Sequence, residues 1–126
     1  MLFRALALAA ACLLALPAAA QAPRNFPQNA LRGALLFGEA PEVAVNDKPA
    51  RLSPGTRIRD AGNLTVVPAS LYGGRFLVNY TIDSLGQVKD VWILTPAEAA
   101  NKPWPTTLQE QATWLFDPIA QVWAKP

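Results

Sequence analysis

Arg57 and Arg59 stand two residues apart, with Lys48 and Arg51 a short way upstream, and together they form the one basic cluster of the chain. Residues i and i+2 of a strand share a face. Two guanidinium groups side by side would suit an anionic glycan, a lipid headgroup or a partner's carboxylate. The same spacing serves a solvated strand face whose charges keep an edge from pairing with another chain. Trp104 and Trp123 lie in proline-flanked, irregular sequence. Rings in such places line carbohydrate or peptide grooves, although packing is the commoner use of a tryptophan. Arg57, Arg59, Trp104 and Trp123 are therefore the candidate binding residues.

Catalytic chemistry finds much less to work with. The chain has no histidine, and its single cysteine, Cys12, lies near the N-terminus in a segment expected to be removed. A mature chain without either residue has no thiol nucleophile, imidazole base, disulfide, His–Cys metal site or covalently attached haem. Ser53, Ser70 and Ser84 fall in turn-like sequence, and no Ser-x-x-Lys occurs. Glycoside hydrolysis needs two carboxyl groups at a fixed separation. The nine acids are scattered, and Asp47, Asp60, Asp83 and Asp117 each stand where a turn or cap would use them. Asp60-Ala-Gly-Asn63 offers too few side-chain oxygens for calcium, and Tyr72-Gly-Gly-Arg75 lacks the Lys and Ser/Thr of a phosphate loop. No catalytic residue, cofactor or metal ligand is expected.

The apolar content of 52% is inflated by the first residues. Met1–Arg4 carries one positive charge, and residues 5–16 form an apolar run too short for a permanent transmembrane helix. This is the pattern of a secretory signal peptide, 1–20, followed by small-x-small cleavage frames. Ala18-Ala-Ala20 before Gln21 is preferred to Ala20-Gln-Ala22, because the latter puts Pro23 after the scissile bond. Lipidation at Cys12 is the weaker alternative, since an apolar Leu13-Leu-Ala-Leu16 follows it where lipoproteins turn polar. The expected location is periplasmic or secreted. Of the net charge of +2, Arg4 leaves with the signal, and so small a surplus argues against nucleic acid as a partner.

Short strands must position these residues. Residues 21–30, with Pro23 and Pro27, read as a flexible, extended leader. Residues 31–37, 42–45, 48–52, 56–59 and 64–67 read as strands, with a hairpin turn at Asn46-Asp47 and turns at Ser53-Pro-Gly55 and Asp60-Ala-Gly-Asn63. The strongest pattern is 76–82 and 87–94 about Asp83-Ser-Leu-Gly86, which suits a type I turn with Gly86 in the left-handed region. A uniform register pairs Ile82 with Val88, Tyr80 with Asp90 and Val78 with Trp92, and puts Trp92 in the core. In 96–126, Thr95 caps one helical turn, a proline-rich linker carries Trp104, and Thr107 opens a helix of about two and a half turns with Leu108, Ala112 and Leu115 on one face. Asp117-Pro118 then caps a last helical turn. The expected fold is mainly β: a small antiparallel barrel or rolled sheet of OB-like or SH3-like size over 31–95. A short helical tail, with Trp114, Phe116 and Trp123, covers an open end or edge.

Two stretches, Val45-Asn-Asp-Lys-Pro-Ala-Arg-Leu-Ser-Pro-Gly-Thr-Arg-Ile-Arg59 and residues 77–94 with Leu77-Val-Asn-Tyr-Thr-Ile-Asp83 and Val91-Trp-Ile-Leu94, resemble small exported proteins of Gram-negative bacteria that have no assigned function. The resemblance implies a single exported β domain and transfers no catalytic residue. The expected function is that of a non-enzymatic, envelope-associated binding module whose partner is an envelope protein or glycan. The alternatives are a carboxylate-dependent cell-wall glycan hydrolase and an assembly factor of an envelope complex. Mass analysis of the exported protein is expected to find Gln21 at the N-terminus; a diacylated Cys12 would instead make it lipid-anchored.

Overall fold

The computed structural model describes residues 23–126, so the signal segment, its cleavage site and Cys12 lie outside the described residues. Leu31–Phe37 (β1), Glu42–Val45 (β2) and Lys48–Arg59 (β3) form a meander, and Thr65–Val66 (β4) adds a short strand to the end of β3. After a 3-10 turn at Pro68–Leu71 the chain makes Arg75–Ile82 (β5) and Val88–Ile93 (β6). The strand order is β2-β1-β5-β6-β3-β4, and β2 also pairs with β3, which closes β1, β5, β6, β3 and β2 into a five-stranded barrel of OB-like size. Every pairing in the ring is antiparallel except β3 with β6. Closure removes the free edges that a small open sheet would expose.

Period-2 alternation fills the interior. Leu31, Leu35 and Phe37 of β1 meet Val43, Leu52, Ile58, Val78, Tyr80, Val88, Val91 and Ile93 in one buried cluster. Both tight turns are as expected. Asn46 and Asp47 take positive φ of 51° and 67° in the β2–β3 hairpin, and Gly86 takes 78° after Asp83. The Asp83 Oδ1 accepts the amides of Leu85 and Gln87.

The β5–β6 register departs from the uniform one. Ile82 pairs with Val88 as expected, but Thr81 then pairs with Asp90, Tyr80 with Val91 and Asn79 with Trp92, which leaves Lys89 as a bulge. The uniform register would have turned Asp90 into the barrel beside Tyr80. The extra residue turns Asp90 outward, where Thr81 Oγ1 lies 3.2 Å from its carboxylate, and brings Val91 and Ile93 inside. Trp92 consequently sits on the outer face and is not part of the barrel core. Ser53-Pro-Gly55 does not break the strand either. The β3 strand runs through it as an irregularity between Leu52↔Val88 and Arg57↔Asp90, with Thr56 Oγ1 2.8 Å from Val88 O.

The tail differs more. Pro96–Ala99 (α1) is capped by Thr95 as expected, with Glu98 closing a capping box. Leu108–Thr113 (α2) starts at Thr107 but stops short of Leu115, and Leu115–Asp117 (β7) and Val122–Ala124 (β8) form a hairpin where a helical turn was expected. Alternation explains the change: Phe116 and Trp123 are cross-strand partners on one face, their ring centroids 4.7 Å apart. That face lies against the outer side of the barrel, not over an open end or an edge. Phe26, Ala30, Trp104 and Trp123, with Trp92, Leu94, Trp114 and Phe116 packed on them, make a second apolar layer there. Replacing the fully buried Leu35 with Ala is expected to cost about 2–5 kcal/mol in chemical denaturation. The exposed Leu85→Ala should stay within about 0.5 kcal/mol, and equal losses at the two positions would contradict the barrel interior.

Candidate functional site

Arg57 and Arg59 share the outer face of β3, as their spacing requires, but they are not equivalent there. Arg57 is exposed beside Asp90, its register partner on β6. Arg59 is half-buried, its guanidinium carbon 5.7 Å from the centre of the Trp92 ring. Arg51 bonds Glu42 at 3.0 Å on the surface, so the basic cluster of the sequence is divided between two places. The edge-protecting reading has no edge here: β3 pairs with β6 on one side of Ile58 and Arg59 and with β4 on the other.

Trp104 and Trp123 are each only 4% exposed and offer no ring to a groove. Trp104 stacks edge-on against Phe26, Phe116 and Trp123 at centroid distances of 5.8, 5.8 and 6.1 Å, and its Nε1 donates to Ala30 O at 3.0 Å. Trp123 Nε1 is buried without a hydrogen-bond partner. Both tryptophans are packing residues of the second layer.

Two arginines absent from the sequence candidates hold that layer down. Arg32, on the outer face of β1, is 7% exposed. Its guanidinium donates to Asn79 Oδ1, Asn101 O and Glu98 O at 3.0, 2.6 and 3.3 Å and lies 5.0 Å from the Trp104 ring centre. Burial lowers its pKa and the Glu98 charge partly restores it, and the guanidinium remains protonated. Arg24 forks onto the Glu98 carboxylate with Nε and Nη2 and reaches Asp60 O and Ile93 O. Burial pushes the Glu98 carboxyl up, but the Arg24 hydrogen bond, the Thr95 amide and the Arg24 charge outweigh it and hold the carboxyl below the ordinary range. Residues 23–27 form no regular element and turn at 28–29, and where a flexible leader was expected they are tied down at Arg24 and Phe26. The leader gave no periodic signal by which Arg24 could have been found.

Two recesses stand out among the described residues. The larger, about 1110 Å³, is a wide cleft between Pro23–Phe26, the 61–63 turn, α1 and the 119–121 turn. Glu98 is the one carboxylate lining it, and Arg24 holds it. The smaller, about 320 Å³, opens at the barrel mouth between the β2–β3 and β5–β6 hairpins and is rimmed by Thr106 and Thr107. Val45, Pro49, Ile82 and Val88 give it an apolar wall, and Tyr80, Lys48 and Asn46 bring polar groups. Burial raises the Tyr80 pKa, so its phenol stays a neutral donor. Among the described residues the Tyr80 hydroxyl has no hydrogen-bond partner. A lone hydroxyl on an otherwise apolar inward face was the signal for this recess. Among the described residues no three His, Cys, Asp or Glu side chains gather as a metal site would require.

Comparison with protein-family models, curated proteins and solved structures finds no match for this chain. Its chemistry has to be read from its own side chains. The pH dependence of the Arg24–Glu98 clamp follows from the lowered Glu98 pKa: its stabilisation is complete above the unfolded value, about 4.3, and is lost as pH falls through the lower folded value. Arg24→Gln should cost about 1.5–3 kcal/mol at pH 7, and the gap to the parent protein should narrow as pH falls through the lowered folded value, leaving the share that the Asp60 O and Ile93 O bonds contribute. Urea titrations at neutral and acid pH test this, and a gap of the same size at both would refute the clamp.

Proposed function

We propose that this protein is an exported, non-enzymatic binding module of the bacterial envelope, periplasmic or secreted, that holds a ligand or partner without transforming it. One observation carries the reading. The barrel mouth presents Tyr80, Lys48 and Asn46 beside an apolar wall, with no carboxylate lining it. A recess that combines apolar walls with a few converging polar groups is the ordinary form of a small-ligand site, and barrel mouths are a common place for one.

The distribution of the acids favours binding over hydrolysis. Glu42, Asp47 and Glu98 bond arginines, while Asp60, Asp83, Glu110 and Asp117 accept backbone amides in turns and caps. A glycan hydrolase would need a second carboxylate across from Glu98 in the larger cleft. Export is supported by the sequence pattern of residues 1–20. An envelope assembly factor is a second reading. It is favoured by the outward side of the β7–β8 hairpin, where Leu115 and Val122 are exposed and Ile119 at the turn is 94% exposed.

The purified exported protein is expected to show no turnover on cell-wall glycan or on chromogenic ester, phosphate and glycoside substrates. Turnover that disappears in Glu98→Gln, with the fold retained, would overturn the reading in favour of a carboxylate-dependent enzyme.

A further inference from the structure

We infer that the mouth of the barrel binds a small carboxylate carrying an apolar body; the inference rests on the reading of the protein as a binding module and gives that module its ligand class. Three side chains that line the recess carry hydrogen-bond donors: Tyr80, Asn46 and Lys48. Tyr80 belongs to the inner cluster of the barrel, its ring packed near Gly33, where a Cβ would lie 3.2 Å from Tyr80 Cε1 and 3.1 Å from Asn46 Nδ2. The missing side chain at Gly33 lets the phenol and the amide stand together. Asn46 Oδ1 accepts the Ala34 amide at 2.9 Å, which leaves Nδ2 as the atom that can donate. Lys48, the residue after the hairpin turn, adds a cation at the rim. It is not among the cations paired with a carboxylate: Asp47 next to it bonds Arg75 at 2.8 Å.

A neutral phenol, an amide N–H and an ammonium have complementary partners in an anion that accepts hydrogen bonds. With one cation and no acid lining the recess, a monoanion matches the local charge better than a dianion would. Val45, Pro49, Ile82 and Val88, which line the same recess, offer no hydrogen bond from their side chains, so they favour a ligand with an apolar body. Size narrows the class further. A recess of about 320 Å³ lies at the small end of the range for small-ligand sites, roughly 300–1,000 Å³. Such a site suits an aromatic acid or a short acyl chain. Of the acids near the rim, Glu110 accepts the Thr106 amide and hydroxyl on one carboxylate oxygen, which holds its charge on the tail side.

The test uses the full exported chain with benzoate and hexanoate as probes. Benzamide and hexanamide serve as neutral counterparts, and inorganic phosphate as the anion without an apolar body. Binding is followed by calorimetry and by amide chemical shifts. The carboxylates are expected to saturate and to perturb Val45, Lys48, Tyr80 and Ile82, with the neutral amides roughly tenfold weaker or worse. Lys48→Gln should lower carboxylate affinity about tenfold and narrow the gap to the amides. Tyr80→Phe, which keeps the ring in place, should weaken binding without changing the preference for an anion. Thermal melts of both variants confirm that they fold.

Equal binding of acids and amides would overturn the carboxylate inference and leave the binding module standing. Phosphate binding without the carboxylates would do the same. No saturable shift at the mouth with any probe up to millimolar concentration would also overturn it. Chemical conversion of a probe would overturn the binding-module reading itself.

Discussion

A buried guanidinium with no carboxylate bonded to it is the constraint around which this molecule is arranged. Arg32 projects from the outer face of a barrel strand, where solvent would normally receive it, and is covered instead by the C-terminal tail. An uncompensated buried charge is among the costliest features a fold can carry. The tail supplies the compensation as two carbonyls, Glu98 O and Asn101 O, and the face of Trp104, while the barrel supplies Asn79 Oδ1. The Arg32 backbone is engaged as well, its amide donating to Pro105 O at 2.8 Å. Because the partners come from strand, helix end and linker together, the charge can be satisfied only when the tail is docked. The second layer is fixed to the barrel by a polar requirement as much as by its aromatic rings.

That layer answers a problem of size. A barrel core built from β1–β3, β5 and β6 is small, and small cores are marginal. Adding Phe26, Trp104, Phe116 and Trp123 outside the sheet gives Trp92 and Ala30 an apolar layer to pack in without enlarging the barrel. Its polar satisfaction is imperfect. Asn79 Nδ2, Gln111 Nε2 and Trp123 Nε1 are buried without partners, each a penalty of about 1–3 kcal/mol if no water reaches it. Cations lie over the rings of the layer at Arg24, Arg32, Arg59 and Lys125, which fits the electron-rich faces of so many aromatics in one place.

What could be read from the sequence was what is local. The Asn46-Asp47 and Asp83–Gly86 turns, the first two strands and the Thr95 and Thr107 caps depend on residues within a few positions, and the structure has them where the sequence placed them. The parallel pairing of β3 with β6 left no local mark, because residues 60–87, including β4 and β5, separate the two strands. The bulge at Lys89 was hidden by a uniform register that already looked amphipathic, and its cost, Asp90 inside the barrel, appears only once the sheet is closed. In the tail, Leu108, Ala112 and Leu115 imitate a helical face, while the deciding pair, Phe116 opposite Trp123, is visible only across a hairpin. Arg57 and Arg59 were legible as a pair on one face. Arg24 and Arg32 were not, since their partners lie dozens of residues away and are largely backbone carbonyls.

The barrel mouth and the buried arginine are coupled by adjacency along two strands of chain. Arg32 precedes Gly33, whose bare backbone makes room for Tyr80 and Asn46, and Pro105, which accepts the Arg32 amide, precedes Thr106 and Thr107 at the rim. The Glu110 carboxylate pulls Thr106 back toward α2 through its amide and hydroxyl, while Thr107 caps the same helix. One side of the recess is therefore barrel and the other is tail. If the tail lifted, this open recess would lose the Thr106 and Thr107 side of its rim and become shallower still. The same contacts that compensate a buried charge on the outside of β1 thus set the shape of the recess at its inside, and the stability of the second layer is part of how the mouth keeps its form.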